Sequence, residues 1–399
     1  MIKDIDIENF RCFERTHIKG FERVNLIGGK NNSGKTALLE AILLNQSPEI
    51  KIIDFLRDLR QEVEELTELE YPMKDNNIAS PAMVWDSLFF NRHKNENAKI
   101  ITKFQNTKTQ IITLSTKEYK SLPDSIKQDD KSQWFGYSYN YGYGDCKKAK
   151  NLSDILIDDF DGGSCSILTL NLIIEELSQK TVNLTRRIIA TSKGLLRESL
   201  EGLENHLNKA KFISSYYKPI GSYLNYLAQE YNKIASGNKS SQILNFLKIL
   251  DPSIEVIKTF KIGISDKIYL KKSNQNYLSI SLFGEAINKF TWILLELINN
   301  PNSILLIDEI ENGIHYTNQR DFWKALFELS KELDVQIFAT THSLEMIQAF
   351  ADVGLNYYPD SGAYFEMARH YKTNQIIGIC YDLETLEYSL ERGKGVRGE

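Results

Sequence analysis

Cysteine is scarce and unpatterned in this sequence. Cys12, Cys146, Cys165 and Cys380 are the four in 399 residues, with no C-x-x-C spacing and no partner histidines. That scatter argues against a zinc site and a disulfide framework, and it fits a reducing, cytoplasmic setting. An excess of one charge is also lacking: 48 Lys and Arg stand against 53 Asp and Glu, a net of -5. There is no global basic footprint, so any nucleic-acid contact has to come from a local patch. No apolar run approaches the roughly 18 residues of a membrane span, and the opening MIKDIDIENF carries charges where a signal peptide needs an apolar stretch. No membrane partner is expected, and no internal repeat is visible. What is present is 42% hydrophobic residues, enough for an ordinary globular chain of two or three structural units.

Residues 2–8 alternate apolar and charged, and 21–27 form a short apolar run leading into glycines; both read as strands, with a helix over 35–44. Phe55, Leu56, Leu59, Val63, Leu66 and Leu69 recur at three and four, predicting an exposed amphipathic helix over 50–69 that ends near Pro72. Strand-like runs at 99–104 and 110–114 suggest a lateral antiparallel lobe, so 1–119 is expected to form the N-terminal part of a head. The segment 120–211 reads as a helical insertion. Val182, Ile189, Leu196 and Leu203 fall seven apart, Leu200 and Leu207 extend the seam, and Arg186 and Lys193 interrupt it, which predicts a short, imperfect coiled hairpin. Its Arg186, Arg187, Lys193, Arg197, Lys209 and Lys211 could meet a nucleic acid or an acidic partner, a solvated helix face being the plainer reading. Beyond 211, a hairpin (255–262 with 267–271), helices at 286–297 and 319–333, and buried strands at 303–307 and 335–339 alternate. Such alternation implies an α/β fold with a mostly parallel sheet covered by helices on both faces, completed by 212–399.

Four motifs carry chemistry. Gly29-Lys30-Asn31-Asn32-Ser33-Gly34-Lys35-Thr36 is a complete G-x-x-x-x-G-K-[ST] between a strand and a helix. Backbone N–H groups of such a loop close on phosphates, Lys35 reaches the β/γ-phosphates, and Thr36 offers a hydroxyl to Mg²⁺. Ile304-Leu305-Leu306-Ile307-Asp308-Glu309 is a buried strand ending in two carboxylates. A parallel sheet presents its strand C-termini to the ligand, so Asp308 is expected to hold Mg²⁺ and Glu309 to take the proton of the attacking water. His342, just past the strand 335–339, is placed to sense a γ-phosphate. Ser281-Leu282-Phe283-Gly284-Glu285-Ala286 lies directly before a helix.

On these motifs the chain resembles the ABC ATPase superfamily, and within it the OLD-like, SMC-related branch. The resemblance covers residues 1–45 and 212–350 well and the middle poorly. It implies a P-loop ABC-type ATPase head that binds and hydrolyses ATP with Mg²⁺. It also implies that Ser281, Gly284 and Glu285 form a degenerate signature loop, in which the usual second glycine is replaced, reaching the nucleotide of a second copy. Asn9-Phe10-Arg11-Cys12-Phe13 is similar to the N-F-R-x-F strand end of this branch, which implies that Arg11 approaches the nucleotide. Ile310-Glu311-Asn312-Gly313-Ile314-His315 resembles its D-loop, which would place His315 at a dimer seam.

Thr36 and Ser281 stand much further apart than in transporter heads of this superfamily, so the branch with inserted arms fits better. One chain carries one of each half-site, and a symmetric homodimer sandwiching two ATP molecules, or a multiple of such dimers, is expected. OLD proteins carry a nuclease domain after the head, but only 57 residues follow His342. Asp158-Asp159-Phe160-Asp161 offers a D-x-D that would suit a nuclease metal site or, more simply, an exposed turn. The chain is therefore similar to the stand-alone ATPases of two-gene bacterial anti-phage systems such as PARIS and Septu, in which a separate nuclease or toxin is the effector. The alternatives are a DNA-maintenance ATPase of the RecF or SMC type and a self-sufficient OLD-like nuclease.

Overall fold

The computed structural model describes residues 1–60, 81–127, 134–138, 147–149, 164–176, 181–191, 194–198, 209–214, 223–235 and 240–393. The chain begins with strands β1 (Ile2–Phe10), β2 (Phe13–Lys19) and β3 (Val24–Gly29), followed by helices α1 (Lys35–Gln46) and α2 (Ile50–Asp58). Seven strands come next: β4 (Ala98–Phe104), β5 (Thr109–Tyr119), β6 (Trp134–Ser138), β7 (Lys147–Ala149), β8 (Cys165–Glu175), β9 (Thr181–Thr191) and β10 (Gly194–Glu198). Then follow β11 (Ala210–Ile213), α3 (Tyr223–Ala235), α4 (Ser240–Leu250), β12 (Ile254–Ile262), β13 (Ser265–Lys272) and β14 (Leu278–Ser279). The rest is α5 (Gly284–Asn299), β15 (Ile304–Ile307), α6 (Gln319–Glu332), β16 (Gln336–Thr340), α7 (Leu344–Tyr357), β17 (Gly362–Arg369), β18 (Ile376–Tyr381) and α8 (Leu383–Glu391).

The sheet that positions the site has the order β11-β15-β16-β3-β17-β18; its pairings are parallel except for the last. Because successive side chains of a strand point to opposite faces, an unbroken apolar strand feeds two cores. Leu305 and Ile307 join Val24, Leu26, Ile337 and Ala339 against α5, α6 and α7, whereas Ile304 and Leu306 join Ile27, Phe338 and Phe365 against α1. The expected mostly parallel sheet with helices on both faces is therefore found. Each fully buried Leu or Ile contributes roughly 1.5–3 kcal/mol to holding these layers together.

The lateral antiparallel lobe is larger than expected. Its nine strands run β2-β1-β4-β5-β8-β9-β10-β6-β7, so it does not end at 119 but continues through 198. Among the described residues of 120–211 the structure has these strands and one short helix, Asp124–Lys127, in place of the expected helical insertion. The seven-residue spacing has another origin: in the β9–β10 hairpin Ile189 lies directly opposite Leu196, and both are fully buried in one cluster with Trp134. The β-branched run of β9 (Thr181, Val182, Thr185, Ile188, Ile189, Thr191) favours the pleated strand over a helix. Leu200, Leu203, Leu207, Lys193 and the D-x-D segment lie outside the described residues. The helix expected over 50–69 is observed to Asp58 and is not exposed, because Ile50, Ile53 and Leu56 are buried against the lobe; positions 61–80 lie outside the described residues.

Buried polar side chains lock the P-loop helix to this lobe. Asn45 donates to the carbonyls of Ile100 (3.0 Å) and Gln110 (3.3 Å) and accepts from Thr102 Oγ1 (2.7 Å). Gln336 ties the edge of the lobe to the parallel sheet, accepting from the Ile2 N–H (2.7 Å) and donating to the Ile2 and Glu22 carbonyls (2.8 and 2.9 Å). A small sheet, β12-β13-β14, packs with α3 and α4 against α5. Among the described residues no helix is long and apolar enough to cross a membrane, and Cys12, Cys165 and Cys380 are free.

Candidate nucleotide site

The floor of the site is the turn from β3 into α1. Gly29 (φ 133°) has to be glycine: a Cβ there would lie 2.3 Å from the Met367 carbonyl oxygen. Gly34 (φ 92°) is the residue just before α1 and Asn32 (φ 59°) is left-handed too, so the loop curls over the helix N-terminus. Lys35 is buried, and its Nζ reaches back across this curl to the carbonyls of Gly29 and Lys30, 2.8 Å each. Burial lowers its pKa to about 8, against the opposing pull of Asp308, Glu311 and Glu309. Ser33 Oγ is buried in the loop with no hydrogen-bond partner. A glycine cradle, a buried cation and an orphaned hydroxyl together fit a phosphate tail.

Two strands bring the acids to this floor. Thr36 Oγ1 donates to the Asp308 carboxylate at 3.1 and 3.2 Å, and Thr340 Oγ1 donates to Asp308 Oδ1 at 2.5 Å. Burial pushes the Asp308 carboxyl above its ordinary range, partly countered by these two hydroxyls. A partly buried oxygen set of Thr36 and Asp308 suits a hard cation such as Mg²⁺. Glu309 has φ 51°; its N–H donates to Thr340 Oγ1 (2.8 Å), and its carboxylate accepts from Asn312 Nδ2 (2.8 Å). His342 donates through its backbone N–H to Glu311 (2.6 Å), and burial followed by the nearby Lys35 charge holds its imidazole pKa below the usual value.

The structure brings Arg11, Asn31, Asn32, Ser33, Gly34, Lys35, Thr36, Asp308, Glu309 and His342 to one cleft of about 1200 Å³. Arg11 lines it, but its guanidinium is engaged inward: Nε donates to the fully buried Glu40 (2.7 Å) and the other nitrogens to the Ser87 and Leu56 carbonyls (3.1 and 2.9 Å). Ser281, Gly284 and Glu285 are not in this cleft. They stand exposed at the start of α5 beside a separate hollow of about 380 Å³. His315 is exposed as well, bonded through Nδ1 to Thr317 Oγ1 at 2.8 Å. Two basic residues of the segment pair with acids, Arg187 with Glu198 at 3.0 Å and Arg197 with Asp54 at 2.9 Å.

Sequence reasoning missed several cleft residues. Arg369, at the end of β17, lines the cleft and donates to the Asn32 carbonyl at 3.4 Å, and Tyr364 of the same strand presses its hydroxyl against Gly28. The six-residue buried run within β17 was the available signal. Phe90, Asn91 and His93 come from a turn with two consecutive left-handed residues, Asn91 and Arg92, and carry no local pattern. Thr340, which holds both acids, was hidden in a string where only His342 stood out.

A parallel sheet whose P-loop strand lies one strand away from the acidic strand, with an antiparallel lobe packed on the P-loop helix, is the architecture of a P-loop ATPase fold. The model of the AAA ATPase domain family AAA_15 matches residues 1–347. The chain belongs to that family. It is 25% identical over 367 residues, 88% of each chain, to an ATP/GTP phosphatase of Helicobacter pylori. Among solved structures it is similar to an SMC head bound to the C-terminal winged-helix domain of ScpA, at 12% identity and a TM-score of 0.47, covering 97% of this chain and 99% of the other. It is also similar to the SMC head of Thermotoga maritima, at 11% identity and a TM-score of 0.39, covering 96% and 98%.

Proposed function

We propose that the chain binds ATP with Mg²⁺ in the P-loop cleft, hydrolyses it, and does so as a homodimer in which each cleft is roofed by the partner's signature loop. One observation carries the reading: Lys35, Thr36, Asp308, Glu309 and His342 share a cleft, whereas Ser281, Gly284 and Glu285 are exposed elsewhere on the same chain. A loop that cannot serve its own nucleotide can serve that of a second copy. In this reading Gly29, Asn31, Asn32, Ser33, Gly34 and Lys35 hold the phosphates. Thr36 and Asp308 would hold a magnesium ion, which would supply charge neutralisation for the phosphate tail. Glu309 accepts the proton of the attacking water, His342 contacts the γ-phosphate, and His315 lies at the seam. The Helicobacter pylori relative, an ATP/GTP phosphatase, supports a phosphoanhydride substrate.

The test is direct. Purified chain with Mg²⁺ and ATP should release phosphate and leave DNA uncut, Lys35→Ala should abolish nucleotide uptake, and Glu309→Gln should accumulate as a nucleotide-bound dimer in light scattering. A Glu309→Gln chain that stays monomeric with saturating ATP contradicts the two-copy arrangement.

We further propose, on the motif resemblance alone, that this ATPase acts as sensor or scaffold for a separate effector in anti-phage defence. Cells carrying the chain with its neighbouring gene should resist phage, and Lys35→Ala should remove resistance; protection that survives Lys35→Ala rules this role out.

A further inference from the structure

Lys289 stands on α5 one turn beyond Glu285, is 5% exposed, and donates through its ammonium to the backbone carbonyl of Glu309. Burial holds its pKa down to about 8, while Glu311, Glu309, Asp308 and Glu285 pull it upward. The residue it holds is strained: φ 51° is sparsely populated for a glutamate, and such a conformation persists only where neighbours over-determine it. Thr340 accepts the Glu309 N–H and Asn312 binds its carboxylate, both from the acid-bearing side of the fold. The grip on the carbonyl is the one that comes from the signature helix. A second contact lies on the same path: Gly313 packs so closely that a Cβ there would be 2.9 Å from the Ala286 backbone nitrogen. The D-loop therefore rests on the first turn of α5, and one unbroken helix joins the exposed start of α5 to Lys289.

We propose that Lys289 is a positioning residue that ties the geometry of Glu309 in one cleft to the signature loop serving the other. This rests on the two-copy reading above. A shift of the Ser281–Glu285 segment that leads into α5 withdraws the ammonium from the Glu309 carbonyl, and a glutamate released from its left-handed backbone swings its carboxylate off the attacking water. Binding of the nucleotide itself, which uses Lys35 and the loop backbone, is untouched.

The experiment is a double-mutant cycle in the full-length chain, with ATP affinity, kcat, KM and melting temperature measured for wild type, Lys289→Met, Ser281→Ala and the double variant. Lys289→Met should keep ATP affinity within about twofold while kcat falls about twentyfold or more, a split that a generally weakened fold does not produce. In the Ser281→Ala background the same change should cost less than about threefold, because both act through one helix. Losses that multiply, or affinity that falls in step with kcat, overturn the proposal. A wild type that binds ATP but shows no turnover removes the parent reading, and this one with it. Should Lys289→Met not fold, Lys289→Arg, which keeps a donor but displaces it, is judged by the same criterion.

Discussion

Thr340→Val removes one hydroxyl and almost no volume, yet that hydroxyl serves both acids. It donates to Asp308 at 2.5 Å and accepts from the Glu309 N–H at 2.8 Å, at a position with no solvent exposure. Losing a hydrogen bond to a buried carboxylate costs about 1.5–3 kcal/mol, and the stranded N–H adds about 1–3 kcal/mol. The extra methyl returns somewhat under about 1 kcal/mol. A net destabilisation of about 3 kcal/mol follows, or a fall of roughly 4 °C in the melting temperature of the nucleotide-free protein. With its strongest donor gone, Asp308 rises further above its ordinary pKa, so Mg²⁺ has to compete with a proton, and Glu309 loses the partner fixing its backbone. Turnover should fall by about two orders of magnitude, by analogy with the removal of one preorganised polar group. Thr340→Ser, which keeps the hydroxyl, should lose only about 1 kcal/mol and retain most activity. The assay pairs thermal melts with phosphate release across a magnesium titration. A Thr340→Val protein melting within about 1 °C of wild type (about 1 kcal/mol) with unchanged turnover would show that Thr340 does not organise the acids.

Three further outcomes follow from the geometry. ATP affinity should be constant below pH 8 and weaken about tenfold per unit above it, because Lys35, held near 8 by burial, has to be charged to meet the phosphates; calorimetry showing flat affinity to pH 10 contradicts this. Between about 8 and the unfolded value of 10.5 the unfolded chain binds more protons at Lys35, and at Lys289 in the same sense, so the nucleotide-free protein should gain stability as pH rises through that window, readable in melts. Gly29→Ala, whose methyl would meet the Met367 carbonyl at 2.3 Å on a backbone at φ 133°, should cost more than about 3 kcal/mol or prevent folding; a soluble variant with wild-type stability would mean that the loop is free to move.

What could be read from the chain alone follows from where the information lies. β3, α1, β15 and β16 were legible because a strand buried on both faces is an apolar run and the P-loop is contiguous, so eight residues carry both its turn and its chemistry. The segment 181–198 misled because seven residues is both a heptad and the distance that puts Ile189 across from Leu196 in a tight hairpin. Its β-branched residues were the better guide. Arg11 was found by its motif, but its partner Glu40 is a buried carboxylate in the middle of α1, and nothing local shows which way the guanidinium turns. The cleft walls at Phe90 and Arg369 come from a turn and from a strand end, far apart in sequence and brought together by the fold, which no spacing encodes.

The most direct test of shared sites uses two inactive chains. Lys35→Ala carries an intact signature loop, and Gly284→Asp an intact P-loop, with open space around the new side chain on a left-handed backbone (φ 84°) that Asp adopts more readily than most residues. Mixed in equal amounts, half of randomly formed pairs contain one of each and hold one complete site out of two, so the mixture should recover about a quarter of wild-type ATP turnover. A mixture as inactive as its components would contradict a nucleotide site built from two copies.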